Sequence, residues 1–378
     1  MHGGKQDQFR RYARSMLAGK SPDQAAARLA KSVDPYVPYR PSTRASPVNV
    51  RKLLAAAPPH VLETLLDPAT EAGLAGYGRN IENCIGTVKV PVGLIGPLRV
   101  NGLHARGDYP VPLATTEAAL VASYHRGACL LGAAGGCSAL LVHESVTRAP
   151  AFGFTGLAQP ARFLCRALED RAAITEIAES TSSHARLVDL VPTVEGNHVY
   201  LTLEFSTGDA SGQNMVTMAA EAVCEHIREC SPVTPLRIYT EGNFSGDKKA
   251  SARAFTSTRG KKVTAEAVMP AELVQKFLHV TPGEMVDYWR VSAIGGVLSG
   301  TMGVQGHFAN GLAALYLATG QDVACVAESA VGITRFEETG DHALRAAVTL
   351  PGIMVGTIGG GTGLPSQHAC LALMGLAG

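Results

Sequence analysis

The run Gly242-Asn243-Phe244-Ser245-Gly246-Asp247-Lys248-Lys249 constrains this chain more than any other. Two glycines, an asparagine and a serine force a turn, which delivers Asp-Lys-Lys to a helix expected over Ala250 to Phe255. Asp247 suits the cap of that helix, since its carboxylate can accept orphan amide protons. Two lysines in the first turn work against it, because a helix N-terminus is the positive end of a dipole. They make sense if a carboxylate or a developing oxyanion sits between them and the helix end. The competing reading is a solvated charge run on a loop, and residues elsewhere in the chain must decide.

A length of 378 residues suggests two or three domains with a sizeable core. Only 17% of residues are charged and 46% are hydrophobic, a globular composition without disordered bias. The net charge of +1 implies no general attraction to nucleic acid or membrane. Cys84, Cys129, Cys137, Cys165, Cys224, Cys230, Cys325 and Cys370 show neither CxxC nor metal-ligand spacing. They read as buried free thiols of a reducing cytosol, with no metal site. No apolar run reaches the ~18 residues of a membrane span. Met1 to Ala30 is basic and amphipathic without an apolar core, so it is not a secretory signal and a cytoplasmic location is expected.

Along the chain, residues 1–35 predict one or two helices, with Ser21-Pro22 starting the second, and residues 36–48 a Pro-rich connector. Val48 to Leu66 predicts short helices broken at Pro58-Pro59. Ile85 to Gly93 reads as strand-like, and Gly96-Pro97 to Gly102 as a hairpin signal. A helix is expected over Thr115 to Leu131 and a strand from the Gly135-Gly136 turn to Arg148. Between about 150 and 240 come a helical stretch (Gln159 to Ser180), two strands (Arg186 to Val194, His198 to Phe205), a helix (Gly212 to Ser231) and a strand (Thr234 to Tyr239). A small antiparallel, ferredoxin-like sheet fits that segment. After Lys249 more helices are expected, then a strand pair, Val348 to Ile358, around Pro351-Gly352.

Several residues invite chemistry. Glu117 stands where a helix is expected to open, as a dipole partner or as an acid. Asp322 follows an apolar helix, Leu312 to Thr319; an acid at that dipole end is expected to have a raised pKa and to need a cation. His307 and Asn310, three apart, share a face of that helix with Ala314. Asp209-Ala210-Ser211-Gly212-Gln213-Asn214-Met215 joins a strand to a helix, with small residues and helix-start amides that suit phosphate. Gly359-Gly360-Gly361 lies in a GxGxG-like run that lacks the other marks of a dinucleotide fingerprint. Arg148 is a candidate partner for a substrate carboxylate.

Taken together, Glu82-Asn83-Cys84-Ile85-Gly86, Pro91 to Leu98, Thr115-Thr116-Glu117, Gly208 to Met215, Asp247-Lys248-Lys249, Gly320-Gln321-Asp322 and Gly356 to Thr362 appear in order. In this register they resemble the 3-hydroxy-3-methylglutaryl-CoA reductase family, of the class shared by eukaryotes and some bacteria, over about Glu82 to Gly375. The resemblance implies an α/β (α+β) fold: an N-terminal helical region (1–81), a large acyl-CoA-binding domain (82–149 and 241–378) and a small inserted cofactor domain (150–240). It implies reduction of 3-hydroxy-3-methylglutaryl-CoA to mevalonate and CoA with two NADPH (NADH being possible), in a homodimer or dimer of dimers; the alternatives are an NAD-dependent degradative reductase and a catalytically impaired homologue that binds CoA esters. Lys248 would polarise the thioester carbonyl, Glu117 would donate a proton, and Asp322 would tune both. Glu82, Asn83, Arg148, Asp247, Lys249, His307 and Asn310 would hold substrate, with Glu82 and Asn83 near the subunit interface. Ser182, Ser183, Asp209 to Met215 and Gly359 to Gly361 would hold the cofactor.

Three departures from the family pattern carry expectations of their own. Glu241 replaces a serine, which is expected to alter the pocket rim. Ser183 replaces an arginine, which weakens the expected preference for NADPH over NADH unless His184 or Arg186 substitutes. The sequence stops at Gly378, before the family's mobile segment with the histidine that protonates the departing thiolate. Slow thioester reduction with retained mevaldehyde reduction is expected on that account.

Overall fold

The chain divides into two units, Met1–Gly86 and Thr87–Gly378, and the computed structural model describes residues 3–31 and 45–378. In the first unit prolines open the helices. These are α1 (Gly3–Met16), α2 (Pro22–Ala30), α3 (Pro47–Leu53), α4 (Pro59–Leu65) and α5 (Pro68–Tyr77), the last four each with Pro in their first turn. Ser21 and Gln24 form the capping box that starts α2, and Pro58-Pro59 separates α3 from α4 as the sequence requires. The Pro-rich connector falls largely outside the described residues. Val50, Leu66, Leu74 and Cys84 form this unit's core. Residues 85–91 make no strand, and a Cβ on Gly86 would stand 2.1 Å from the Leu65 carbonyl oxygen of α4.

The second unit begins with the hairpin β1 (Val92–Gly102) and β2 (Arg106–Ala114). Its turn, at residues 103–105, follows directly on the Gly96 to Gly102 run read as a hairpin signal, within which Gly96-Pro97 is a bulge in β1. Then come α6 (Leu120–Ala133), β3 (Cys137–Arg148), β4 (Ala151–Gly153), α7 (Ala158–Glu169), α8 (Arg171–Ser180), β5 (Arg186–Glu195), β6 (His198–Ser206), α9 (Gln213–Cys230) and β7 (Arg237–Tyr239). The remainder is β8 (Gly260–Met269), α10 (Ala271–Leu278), α11 (Pro282–Ser299), β9 (Gly303–Val304), α12 (Phe308–Thr319), α13 (Val326–Ser329), β10 (Gly332–Glu338), β11 (Leu344–Ile353) and α14 (Pro365–Leu373). The strand β8, absent from the sequence reading, pairs with both β3 and β11, and β10 was missed with it. The expected strand pair around Pro351-Gly352 is one strand, β11, with a bulge there.

The 12-residue strand β3 belongs to two sheets. Ser138 to Ser145 pair with β8 in a mixed sheet that runs β3-β8-β11-β10-β9, with β1 parallel beside Cys137 to Ala139. Val146 to Arg148 pair with β6 in an antiparallel sheet ordered β7-β4-β6-β5. The burial of β3 follows: its first half alternates, as a strand with one wetted face does, and Ser145 to Arg148 are buried on both faces. The segment β4-α7-α8-β5-β6-α9-β7 thus has β-α-β-β-α-β chain order, its helices lying on one sheet. Helix α9 contributes Val216, Ala219, Ala220, Val223 and Ile227 at helical spacing against Phe152, Leu201, Leu203 and Phe205. Each large apolar side chain so buried is worth about 1.5–3 kcal/mol. Among the described residues, no helix is long and apolar enough to cross a membrane. Of the cysteines, expected to be buried, Cys165 and Cys230 are exposed.

Candidate active site

The loop at 241–249 is shaped by one carboxylate. Glu241 accepts the backbone N–H groups of Ala149 (3.2 Å), Phe244 (3.1 Å) and Ser245 (3.4 Å). Its carboxylate therefore holds loop backbone. Asp247 caps no helix either. The expected helix is a single 3-10 turn, Ala252–Phe255, capped by the Ser251 hydroxyl. Asp247 instead lies between two guanidinium groups, Arg148 Nη1 at 3.0 Å and Arg259 Nη2 at 2.9 Å. The second contact is ionic only, since Asp247 Oδ1 and Arg259 Nη2 are buried without hydrogen-bond geometry. Arg148 Nε is fixed by Thr217 Oγ1 at 2.9 Å. Lys249 is exposed and donates from Nζ to the Asp247 carbonyl at 2.9 Å.

Lys248 sits in the left-handed region at φ 56°, a conformation that costs a residue with a side chain about 1–3 kcal/mol. From there Nζ reaches Asp322 Oδ2 at 2.8 Å. The hydrogen bond to Asp322 raises the lysine pKa against the opposing effect of burial. Burial pushes Asp322 up, but the Lys248 hydrogen bond, the Ala324 N–H and the lysine charge outweigh it, so the carboxyl lies below its ordinary range. The sequence expectation had the opposite sign. Gly320, at φ +73°, ends α12, and Asp322 instead caps the next turn, Val323–Cys325, by accepting the Ala324 N–H at 3.0 Å. It thus sits at a favourable dipole end, with the partner cation it was expected to need. Gln213 Nε2 also donates to Asp322, at 3.4 Å.

Beneath the lysine lies a buried pair that the sequence reading missed. Glu328 Oε1 accepts both the Lys248 backbone N–H (3.3 Å) and Arg259 Nη1. The Arg259 and Glu328 side chains are 4% and 6% exposed. Burial pushes the Glu328 carboxyl up, and Arg259 draws it only part of the way back. The available signal was a lone glutamate in the apolar run Val326-Ala327-Glu328-Ser329-Ala330. Asp247, Cys325 and Glu328 place ligand atoms within 4.8 Å of one another. Arginines hold both carboxylates, and burial pushes the Cys325 thiol up to about 12, so the trio reads as the centre of an ion-pair network rather than a metal site.

Two small-residue loops meet beside Asp322. Thr357 N–H donates to the Asp209 carbonyl (2.8 Å), and Ala210 bridges Ile358. A Cβ on Gly356 would fall 2.4 Å from Ser211 N, and one on Gly320 would fall 2.3 Å from the Gly361 carbonyl oxygen. The Gln321 amide clamps Gly356 in both directions, at 2.9 Å each. Helix α9 starts directly from this cradle after Gly212, at φ 71°, without a side-chain cap. Its first amides are thus available to an anion. The segments Asp209 to Met215 and Gly359 to Gly361, far apart in sequence, are neighbours. Ser182 and Ser183 precede β5, whose Arg186 pairs with Ser206 on the strand that leads into this loop. Arg186 itself faces Glu179 at 3.9 Å.

Glu117 precedes α6 instead of opening it, since Ala119 at φ 65° delays the helix to Leu120. It lines a cleft of about 650 Å³ with Tyr124, His307 and Asn310, and Asn310 Nδ2 donates to Glu117 Oε1 at 3.3 Å. His307 is not on the face of α12: it stands one residue ahead of the helix, left-handed at φ 62°. Among the described residues, no hydrogen bond or ion pair joins Glu117 to Lys248 or Asp322. Glu82 and Asn83 belong to the first unit.

The family model for hydroxymethylglutaryl-coenzyme A reductase matches residues 48–378. The chain belongs to the hydroxymethylglutaryl-coenzyme A reductase family. Relatives of that name from Aeropyrum pernix and Pyrococcus horikoshii are 45% and 43% identical over 305 residues each. These matches cover 80% of this chain and 72% and 73% of the relatives. A solved class II reductase of the family from Streptococcus pneumoniae, described as bound to NADPH in open conformations, has the same fold. Its TM-score is 0.64 at 21% identity, over 87% of this chain and 90% of that one. The residues matched by the reductase family model contain all of the ordered motifs.

Proposed function

We propose that this chain reduces 3-hydroxy-3-methylglutaryl-CoA to mevalonate and CoA, taking two hydrides from NADPH. The observation that carries the reading is the Lys248–Asp322 pair beside the two-loop cradle. The glycines let the two loops pack backbone to backbone, since a Cβ on Gly356 or Gly320 would strike the facing loop, and the junction they form adjoins the uncapped start of α9, where a phosphate of a dinucleotide suits the free amides. Asp209 to Met215 and Gly359 to Gly361 would hold the cofactor there, which supplies hydride to the carbonyl carbon twice. Lys248, its charge secured by Asp322, stabilises the oxygen that becomes anionic as each hydride arrives. Glu117, steadied by Asn310, donates the proton at the aldehyde stage. Arg148, Asp247, Lys249, Asn310 and His307 hold the hydroxymethylglutaryl group, and a partner subunit supplies Glu82 and Asn83. The assay is loss of 340 nm absorbance on mixing protein, thioester and NADPH, with two NADPH consumed per mevalonate formed. No thioester-dependent oxidation would refute it.

One observation favours acceptance of NADH as well. Of the two residues expected to substitute for the missing arginine, His184 and Arg186, the latter already faces Glu179 at 3.9 Å. Gly356 tests the cradle itself. Gly356→Ala forces Ser211 and Ala210 away and is expected to raise the Kd for NADPH about tenfold or more, equivalent to ~1.4 kcal/mol. Quenching of nicotinamide fluorescence measures it, and an unchanged Kd would remove this loop from the cofactor site.

The assembly we propose is a homodimer at minimum. Helix α11 carries Tyr288, Val291, Ile294, Val297 and Leu298 at 63–83% exposure, an apolar stripe of the kind that a second copy covers. Light scattering is expected to give the dimer mass, and an active monomer at assay concentration would overturn the proposal.

A further inference from the structure

We infer that Glu328 is a positioning residue for the reaction, fixing the left-handed peptide of Lys248 and so the direction in which the ammonium is presented. Lys248 is held at both ends by acids of one short segment. Asp322 caps the turn Val323–Cys325 and binds Nζ at 2.8 Å. Glu328 lies on α13, which follows that turn directly, and binds the Lys248 backbone N–H at 3.3 Å. Residues 322–328 thus act as a two-point clamp. A buried carboxylate in α13 contributes little to stability that an apolar side chain would not. Its specific effect is geometric, because a lysine at φ 56° relaxes unless its peptide is held. The same carboxylate oxygen takes Arg259 Nη1, and Arg259 touches Asp247, the residue before the lysine. The Lys248 peptide and the Asp247 carboxylate are thereby tied to one buried anchor.

The inference rests on the reading of Lys248 as the acting cation, and its test separates the two. Thioester reduction is measured for the wild type, Glu328→Gln, Lys248→Ala and the double variant. Glu328→Gln keeps the shape but weakens the hold on both donors. Its kcat is expected to fall by about 10- to 100-fold, the cost of a misplaced group, with both KM values within about twofold. Once the lysine is absent, its placement no longer matters, so the double variant is expected to be no slower than Lys248→Ala alone. Should Glu328→Gln not fold, Glu328→Asp retains the charge for Arg259 while shortening the reach to Lys248, and the same split in kcat is expected. An undiminished kcat, or losses that multiply in the double variant, would overturn the role of Glu328 alone. A near-normal kcat in Lys248→Ala would overturn the underlying reading and this inference together.

Discussion

Lys248→Ala is expected to lower kcat by about 10²–10³-fold, or ~3–4 kcal/mol of barrier, the range typical of removing one donor to a developing oxyanion. The structure separates this from a folding defect. The Lys248 side chain is 42% exposed and its ion pair with Asp322 is open to solvent, so the pair adds at most about 1 kcal/mol to stability. Circular dichroism and cofactor affinity should be those of the wild type. KM for the thioester should move little, since the charge that Lys248 meets develops only as hydride arrives. Lys248→Arg is expected to recover little, because the planar guanidinium cannot take the point-charge geometry that the left-handed peptide aims at Asp322. A variant with near-normal kcat would remove Lys248 from the chemistry.

Arg259→Met should have the largest effect on stability. The guanidinium is 4% exposed and faces Glu328 and Asp247. Its removal leaves two carboxylates buried, with Asp247 still held by Arg148 and Glu328 by no cation. Breaking a buried pair from one side typically costs 3–5 kcal/mol, against about 5–15 for the whole fold. Urea unfolding should show this as a lower midpoint at unchanged slope. The loss should also depend on pH. Burial already raises the Glu328 pKa above its unfolded value, and without Arg259 it rises further. The folded variant then binds the proton more tightly than the unfolded chain does. Its stability is fullest below the unfolded pKa and declines as pH climbs through the folded one. Measured at acid pH, the variant should recover part of its deficit; a deficit constant with pH would mean that Glu328 is not the group left exposed to the cost.

The sequence was informative where chemistry and local structure coincide. Ser21, Pro58-Pro59 and Gly135-Gly136 set element boundaries through capping and turn geometry, which are local properties. The Asp-Lys-Lys turn, the acid at 322 and the small-residue loops were visible because unusual residue types stand at turns. What failed depended on distant partners. The helix before Asp322 predicts a raised pKa, whereas the turn after it and the Lys248 ammonium, which sequence does not show, lower it. The strand β8 was hidden because its opening, Gly260-Lys261-Lys262, looks like loop, and its identity comes from β3 and β11 on either side. Arg259 and Glu328 lie 69 positions apart and become meaningful only when folded together.

The double membership of β3 has a mechanical consequence. A strand that ends one sheet and begins another acts as a torsion rod: neither sheet can tilt without turning the other about Ser145 and Val146. Arg148, the last residue of the rod, is gripped by Thr217 of α9 on one side and Asp247 on the other. A tilt of the β7-β4-β6-β5 layer would therefore be delivered, through Arg148 and Asp247, to the peptide that carries Lys248.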